Sequence, residues 1–322
     1  MLRWGRPETI KDAERQIRSQ VSSPVSVPAA EATARVQHLL SFDIEGFIEA
    51  SHDSYHVPEK YVSATAEKRE IEVNTNSILE LLAECRANAT FFILGRIARD
   101  MPELVRRIAA AGHEIASHSF DHTRLYKFGP EDTLRQLRLS KQHLEQASGQ
   151  AVTGFRAPDF SIVGTNLYVL DQLRELGYRY DSSVFPVSFH DAYGIPSFPR
   201  TPFVLPNGMI EFPMSTAMLG GAAVPFGGGG YLRLYPLWLT RALMRSAARA
   251  GVPTVVYLHP IEMGQVIPYI SELPFKRRLR TYVGIRRVRE KLRRLLLTSR
   301  FASFRDFLAS APTLASLQVS SA

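Results

Sequence analysis

Asp43 and Glu45 stand two apart at the end of the apolar run VQHLLSFDIEG. If that run is a strand, its period of two puts both carboxylates on one face, where they can converge on a metal or a water. A helix cap or a structural ion pair would use the same two residues. His118 and His122, in HSFDH, are four apart and converge if the chain turns helically after a strand. Two neutral imidazoles and a carboxylate suit Zn2+ or another late divalent ion, and leave coordination positions for water and substrate. HEIAS is not a metalloprotease signature, because five residues separate His113 from His118. His113 therefore reads as structural, and Asp121, inside the second motif, suits a cap.

Arg156 in FRAPDF precedes the turn fixed by Pro158, where a guanidinium can hold a carboxylate bidentately or form a surface salt bridge. His259 closes the apolar run VVYLHP, and burial beside an acid would tune it for proton transfer. Asp181, in RYDSS, is the candidate for that acid, or else a strand-end cap. The glycines of PFGGGGYLRLYP are not followed by the helix and lysine of a phosphate cradle. They read as a flexible loop over the substrate, with Tyr231, Phe226 and Tyr235 placed either to stack on sugar rings or simply to pack.

These residues need a frame. NTNSILELLAECRANA, MPELVRRIAAAG, EDTLRQLRLSKQHLEQASG, NLYVLDQLRELG and LWLTRALMRSAARAG have helical periodicity, and they alternate with short apolar runs that include ATFFILG, HEIASHS, VTGFRAP and PTVVYLHP. Such alternation predicts an α/β fold with a parallel sheet or barrel. In barrels the C-terminal ends of the strands carry the chemistry, and FDIE, SHSFDH, FRAPD, YDSS and YLHP all fall there. Five polar clusters at five strand ends predict one shared site.

Hydrophobic residues at 45% and charged residues at 22% are those of a globular chain and argue against wholesale disorder. The single cysteine, Cys85, excludes an internal disulfide and a cysteine metal cluster, and its helical context makes it a packing residue. The N-terminal residues lack the apolar run of a secretory signal, so a cytoplasmic location is expected. The net charge of +8 is concentrated between Phe275 and Arg300, where Leu, Val and Ile recur at helical spacing among Arg and Lys. That segment is predicted to form a basic amphipathic helix. It either contacts an anionic membrane at its inner face or packs on the barrel with its apolar side buried. No motif supports nucleic-acid binding.

Taken together, FDIEG, ATFFILG, GHEIASHSFDH, FRAPDFS, DSSVFP and VVYLHP resemble, in order, the motifs of the polysaccharide deacetylases, over about residues 38 to 262. FHDAYGIPSFPR, GGGGYLRLYP, YLHPIEM and RLRTYVGIRRVREKLRRLL are similar to segments of the branch found with exopolysaccharide and exosortase systems. The resemblance implies a deformed (β/α) barrel of fewer than eight strands and a hydrolase dependent on a divalent metal, commonly Zn2+. It implies Asp43 as general base, His118 and His122 as metal ligands, and His259 as the acid that protonates the leaving amine. Arg156 would orient Asp43, and the backbone N–H near Phe160 would stabilise the oxyanion. Relatives usually have two adjacent aspartates, whereas here Ile44 follows Asp43 and the second acid is Glu45, which is assigned as the third ligand. Phe160 stands where many relatives have tyrosine.

The implied organisation is a flexible N-terminal extension (1–36), a catalytic domain (37–265) and a basic helical C-terminal extension (266–322). The implied substrate is an N-acetylated glycan, either a bacterial exopolysaccharide or its lipid-linked precursor. Hydrolysis of a small cyclic amide or imide, and noncatalytic glycan binding, are the alternatives.

Overall fold

The computed structural model describes residues 37–55, 57–187 and 194–310. The expected N-terminal extension (1–36), residues 189–193 of FHDAYGIPSFPR and the last residues 311–322 lie outside them.

In chain order come β1 (His38–Ile44), α1 (Phe47–Tyr55), α2 (Ala64–Cys85), β2 (Thr90–Ile93), α3 (Gly95–Asp100), α4 (Pro102–Ala110), β3 (Glu114–Ser117), α5 (Pro130–Ser148), β4 (Gly154–Phe155), α6 (Tyr168–Glu175) and β5 (Tyr180–Asp181). There follow β6 (Phe203–Val204), β7 (Ile210–Glu211), β8 (Thr216–Leu219), β9 (Ala222–Pro225), α7 (Gly229–Leu234), α8 (Leu237–Arg249), β10 (Val255–Leu258), α9 (Phe275–Tyr282), α10 (Val288–Leu296), β11 (Phe301–Ala302) and α11 (Phe304–Ser310). The main sheet runs β10-β1-β2-β3-β4-β5-β7-β6, with β11 also pairing β1. All its pairings are parallel except β6 with β7. The sheet curls into the expected deformed barrel but has nine strands where fewer than eight were expected, because β6 and β11 add short edge pairings; β8 and β9 form a separate hairpin.

Strand alternation sorts the core into two layers. Leu39, Phe92, Ala116, Tyr180, Ile210, Val255 and Tyr257 pack together inside the curl, while Leu40, Phe42, Phe91, Ile115, Phe155, Val256 and Leu258 face the helices. A period of two therefore carries onto the inner face Asp43 and Arg156, which directly follow the outward Phe42 and Phe155, and His118 and His259, two residues beyond the inward Ala116 and Tyr257.

Three further expectations change. The segment 275–300 is two helices, not one: Gly284 takes φ 73 between α9 and α10, a left-handed turn that a glycine adopts without strain. The boundary at 265 does not divide the packing. Val288, Leu292 and Leu295 of α10 are fully buried in the core, and β11 pairs His38 with Phe301 and Leu39 with Ala302. Phe304 then enters the inner layer, stacked on Tyr180 at 5.1 Å and edge-on to Phe92 and Phe212.

Third, the four-glycine run is a packed edge and not a flexible loop. Tyr257 N–H donates to Gly227 O, and Gly228 bridges to Tyr257, so the first two glycines continue the sheet beside β10 while Gly229 and Gly230 open α7. A Cβ at Gly227 would lie 2.1 Å from Val255 O, and one at Gly229 would lie 1.7 Å from a Glu262 carboxylate oxygen. The missing side chains allow that approach.

Candidate metal centre and active site

Asp43, buried on β1, accepts a hydrogen bond from Arg156 Nη1 at 2.7 Å. The same nitrogen donates to Ser41 Oγ at 2.8 Å, while Nε and Nη2 donate to the carbonyl and hydroxyl of Ser182. The guanidinium lies 4.1 Å from the centre of the Phe92 ring. Taking this charge out of water is affordable because its donors are engaged and its faces lie on aromatic rings. Asp43 is thus held in one orientation at the strand end.

Glu45 lies just past the end of β1 and meets the histidines. Its Oε2 is 3.1 Å from His118 Nε2 and 3.0 Å from His122 Nε2, and its Oε1 is 3.7 Å from His259 Nε2. Burial works to raise the Glu45 carboxyl, but the charge of His122 and hydrogen bonds from His118 and His122 outweigh it and hold the group well below the usual carboxylate range. His122 is shifted up in turn, with burial opposing and Glu45 prevailing. One ligand atom from each of Glu45, His118 and His122 lies within 4.8 Å of the others.

This donor set fits a divalent cation. His118 Nδ1 stands 2.7 Å from Arg156 O, so an N–H there can donate to the carbonyl, and Nε2, turned to Glu45, can then exchange its hydrogen bond for a bond to a cation. Two imidazole nitrogens and an ionised carboxylate then face one another, and a positive charge among them removes the repulsion of their lone pairs.

His259, half-buried at the end of β10, is served by Glu262, whose Oε2 is 3.6 Å from His259 Nδ1 and accepts the His259 backbone N–H at 3.1 Å. Burial pushes the imidazole down, but Glu262 and Glu45 bring it up to about 9. Asp181 is not the acid at this position. Tyr180 points inward, so Asp181 faces the other side of the sheet, where it accepts from Ser183 Oγ at 2.6 Å and pairs with Glu211 across β7. Burial drives both carboxyls up, Glu211 well above its ordinary value, as expected of two acids sharing one proton.

The expected oxyanion donor is also engaged elsewhere. Phe160 N–H donates to Ala157 O at 3.1 Å within the turn that Pro158 begins. Asp159 and Phe160 both take left-handed φ near 50°. The Phe160 ring is tucked edge-on against Phe185 and Tyr257 in the inner core. Tyr231 lies on α7 with its ring against Tyr235 at 5.8 Å. A cavity of about 530 Å3 opens beside His122, lined by Glu49, Glu59, Glu67, Arg96 and Asp121 among others, and Tyr231, Pro158 and Phe160 are not in its wall. Arg96 reaches both Glu49 and Glu67, and Asp121 caps its own turn by accepting Thr123 N–H at 3.0 Å. His113 packs on Phe91, and Cys85 lies half-buried against the core.

Ser41, Ser182 and Glu262 were not singled out from the sequence. The two serines share the inward parity of Asp43 and Arg156, so strand period would have found them. Glu262 follows His259 by three residues, the spacing of one helical turn.

Residues 54–180 match the family model described as polysaccharide deacetylase, and residues 182–309 match a domain of unknown function, DUF3473. His118, His122 and Arg156 fall in the first match and His259 in the second, while Asp43 and Glu45 precede both. A chitooligosaccharide deacetylase of Sinorhizobium fredii is 41% identical over 87 residues, 27% of this chain and 40% of that protein. The peptidoglycan-N-acetylglucosamine deacetylase PgdA of Listeria monocytogenes is 28% identical over 149 residues, 44% of this chain and 32% of its own length. The match thus spans less than half the length of these relatives. In fold, the chain is similar to a Mycobacterium smegmatis protein assigned as a polysaccharide deacetylase, with TM-score 0.58 and 19% identity over 92% of this chain and 95% of the other. The structure of Puue allantoinase aligns with TM-score 0.57 and 14% identity over 91% and 95% of the two chains. Residues 54–180 thus carry a polysaccharide deacetylase match and residues 182–309 a DUF3473 match, and the two parts build one sheet with the fold of the Mycobacterium smegmatis protein.

Proposed function

We propose that the protein is a metal-dependent hydrolase that removes N-acetyl groups from N-acetylhexosamine units of a bacterial exopolysaccharide or its lipid-linked precursor. The observation that carries this reading is the convergence at one end of the barrel of Glu45, His118 and His122 with the Arg156–Asp43 pair and the Glu262–His259 pair. Glu45, His118 and His122 would hold the metal, Zn2+ by the chemistry of the donors. When bound, it supplies Lewis acidity to the acetamide carbonyl and lowers the pKa of water.

The protein's own groups divide the proton work. Asp43, oriented by Arg156, takes the proton from the attacking water as the C–O bond forms. His259, kept protonated by Glu262, gives its proton to the sugar nitrogen as the C–N bond breaks, so that acetate and an amine leave. The cavity beside His122 runs out to the exposed residues Glu59, Val62, Ser63 and Ala64, which suits an extended chain better than a small closed ring.

The test is acetate release from N-acetylglucosamine oligomers and from the native acetylated glycan, with metal analysis of the purified protein. One bound metal, release that depends on it, and loss of both in His118→Ala and His122→Ala are expected. Bound metal without release from any N-acetylated sugar would favour glycan binding or the cyclic amide reading.

A further inference from the structure

The basic run from Phe275 to Arg300 holds eleven Lys and Arg and one acid, Glu290. Its two helices treat their apolar residues in opposite ways. α10 turns Val288, Leu292 and Leu295 into the core. Its Lys291 is spent on the carbonyls of Leu232, Arg233 and Tyr235, where it closes the C-terminal end of α7. α9 does the reverse: Phe275, Leu279 and Val283, four apart and so on one stripe, face solvent, with Phe275 69% and Leu279 53% exposed. Within α9 only Thr281 is buried. A helix that shows its apolar stripe to water and carries Lys276, Arg277, Arg278 and Arg280 around it has the form of an interfacial helix.

The stripe continues into a cavity of about 620 Å3 whose wall includes Val283, Tyr269, Tyr282, Arg233, Arg286 and Arg287. Arg286 and Arg287 are exposed. Among the described residues, Lys276, Arg280, Arg286 and Arg287 form no ion pair. Apolar side chains beside unneutralised guanidinium groups match a surface whose anionic phosphates lie directly above hydrocarbon. A second copy of this chain would bring the same excess of positive charge against itself. A nucleic acid would supply phosphates but would leave Phe275 and Leu279 hydrated.

We infer that α9, with the adjoining arginine-lined cavity, is a docking surface for an anionic phospholipid membrane, and that α10 is a structural helix which fixes α9 to the barrel. The surface lies near the mouth of the active site. Tyr282 contacts Phe47, two residues past Glu45, at a ring separation of 6.3 Å. Lys60 pairs with Glu272 and Tyr61 Oη lies 3.0 Å from Ser271, which joins the approach to α9 to the turn holding Glu59 of the active-site cavity. A docked molecule would carry that cavity close to the bilayer surface.

Vesicle co-sedimentation of the full chain tests this without turnover, so its result is independent of the deacetylase reading. Vesicles of phosphatidylcholine with phosphatidylglycerol should bind the protein at low salt, vesicles of phosphatidylcholine alone should bind it far less, and added salt should release it. Arg286→Gln with Arg287→Gln, and separately Phe275→Ser with Leu279→Ser, should each weaken binding about tenfold or more, with unchanged melting temperature. Equal partition into neutral and anionic vesicles would overturn the proposal. So would unchanged binding by both double variants, binding to duplex DNA but not to vesicles, or a dimer in sedimentation that the Phe275 and Leu279 substitutions dissolve.

Discussion

Arg156 Nη1 meets Asp43 Oδ1 at 2.7 Å, with neither side chain more than 3% exposed. A buried pair of this kind is worth little against a hydrophobic replacement of both partners, yet removing one strands the other charge in a dry site. Arg156→Met is therefore expected to cost about 3–5 kcal/mol in denaturant unfolding. Asp43→Asn keeps the shape and should cut acetate release by at least about 100-fold while the fold survives. In the double variant part of the lost stability should return, and activity should not.

Glu45 lies one residue past the end of β1, with its carboxylate 3.1 Å from His118 Nε2 and 3.0 Å from His122 Nε2. If it holds the cation as we propose, Glu45→Gln should weaken metal affinity at least about tenfold, as read by metal analysis after dialysis against graded chelator. Unchanged metal content in Glu45→Gln would return the ligand role to Asp43.

The Asp181 and Glu211 carboxyls give the protein a pH-dependent stability unconnected with its chemistry. Burial raises Glu211 well above its ordinary value, so the folded state keeps a proton that the unfolded chain loses above about 4.5. The folded state binds more protons in that window, and its contribution to stability declines as pH rises. Glu211→Gln keeps a hydrogen-bond donor without a titratable group, and should flatten this decline in urea midpoints measured from pH 5 to 9.

The glycine run separates packing from flexibility. Gly227→Ala drives a Cβ onto Val255 O and should destabilise by about 1–3 kcal/mol. At Gly230 the nearest atom to a new Cβ is 3.5 Å away, at the tip of Arg233, so Gly230→Ala should be neutral or stabilise by about 0.5 kcal/mol. Equal melting shifts in the two variants would show that the run is loose.

Much of this was legible before any coordinates. The strand bearing Asp43, the turn bearing His118 and His122, and the helices from 102 to 148 are local patterns, and local periodicity reports them. Asp181 failed for a simple reason: as a cluster at a strand end it looked right, but alternation puts its neighbour Ser182, not Asp181, inside the barrel. β11 and the burial of Phe304 left no local sign at all, since a two-residue strand has no period. The split between α9 and α10 was signalled by Gly284 amid a run whose charge pattern hid it. The Phe160 N–H could not be assigned from sequence, because two consecutive left-handed residues decide where it points.

The pairing of β11 with β1 also bears on how the molecule comes to exist. The first strand of the barrel finds one of its partners, Phe301 with Ala302, almost at the far end of the described chain, and Phe304 packs beneath the guanidinium that positions Asp43, 5.9 Å from it. Such long-range closure is slow relative to local helix formation. During synthesis Glu45, His118 and His122 will have emerged well before the floor beneath Arg156 and Asp43, so the cation site we propose can gather before the proposed base is aligned. The proposed activity should therefore arrive late and abruptly, once Phe301, Ala302 and Phe304 have joined β1 and the inner core.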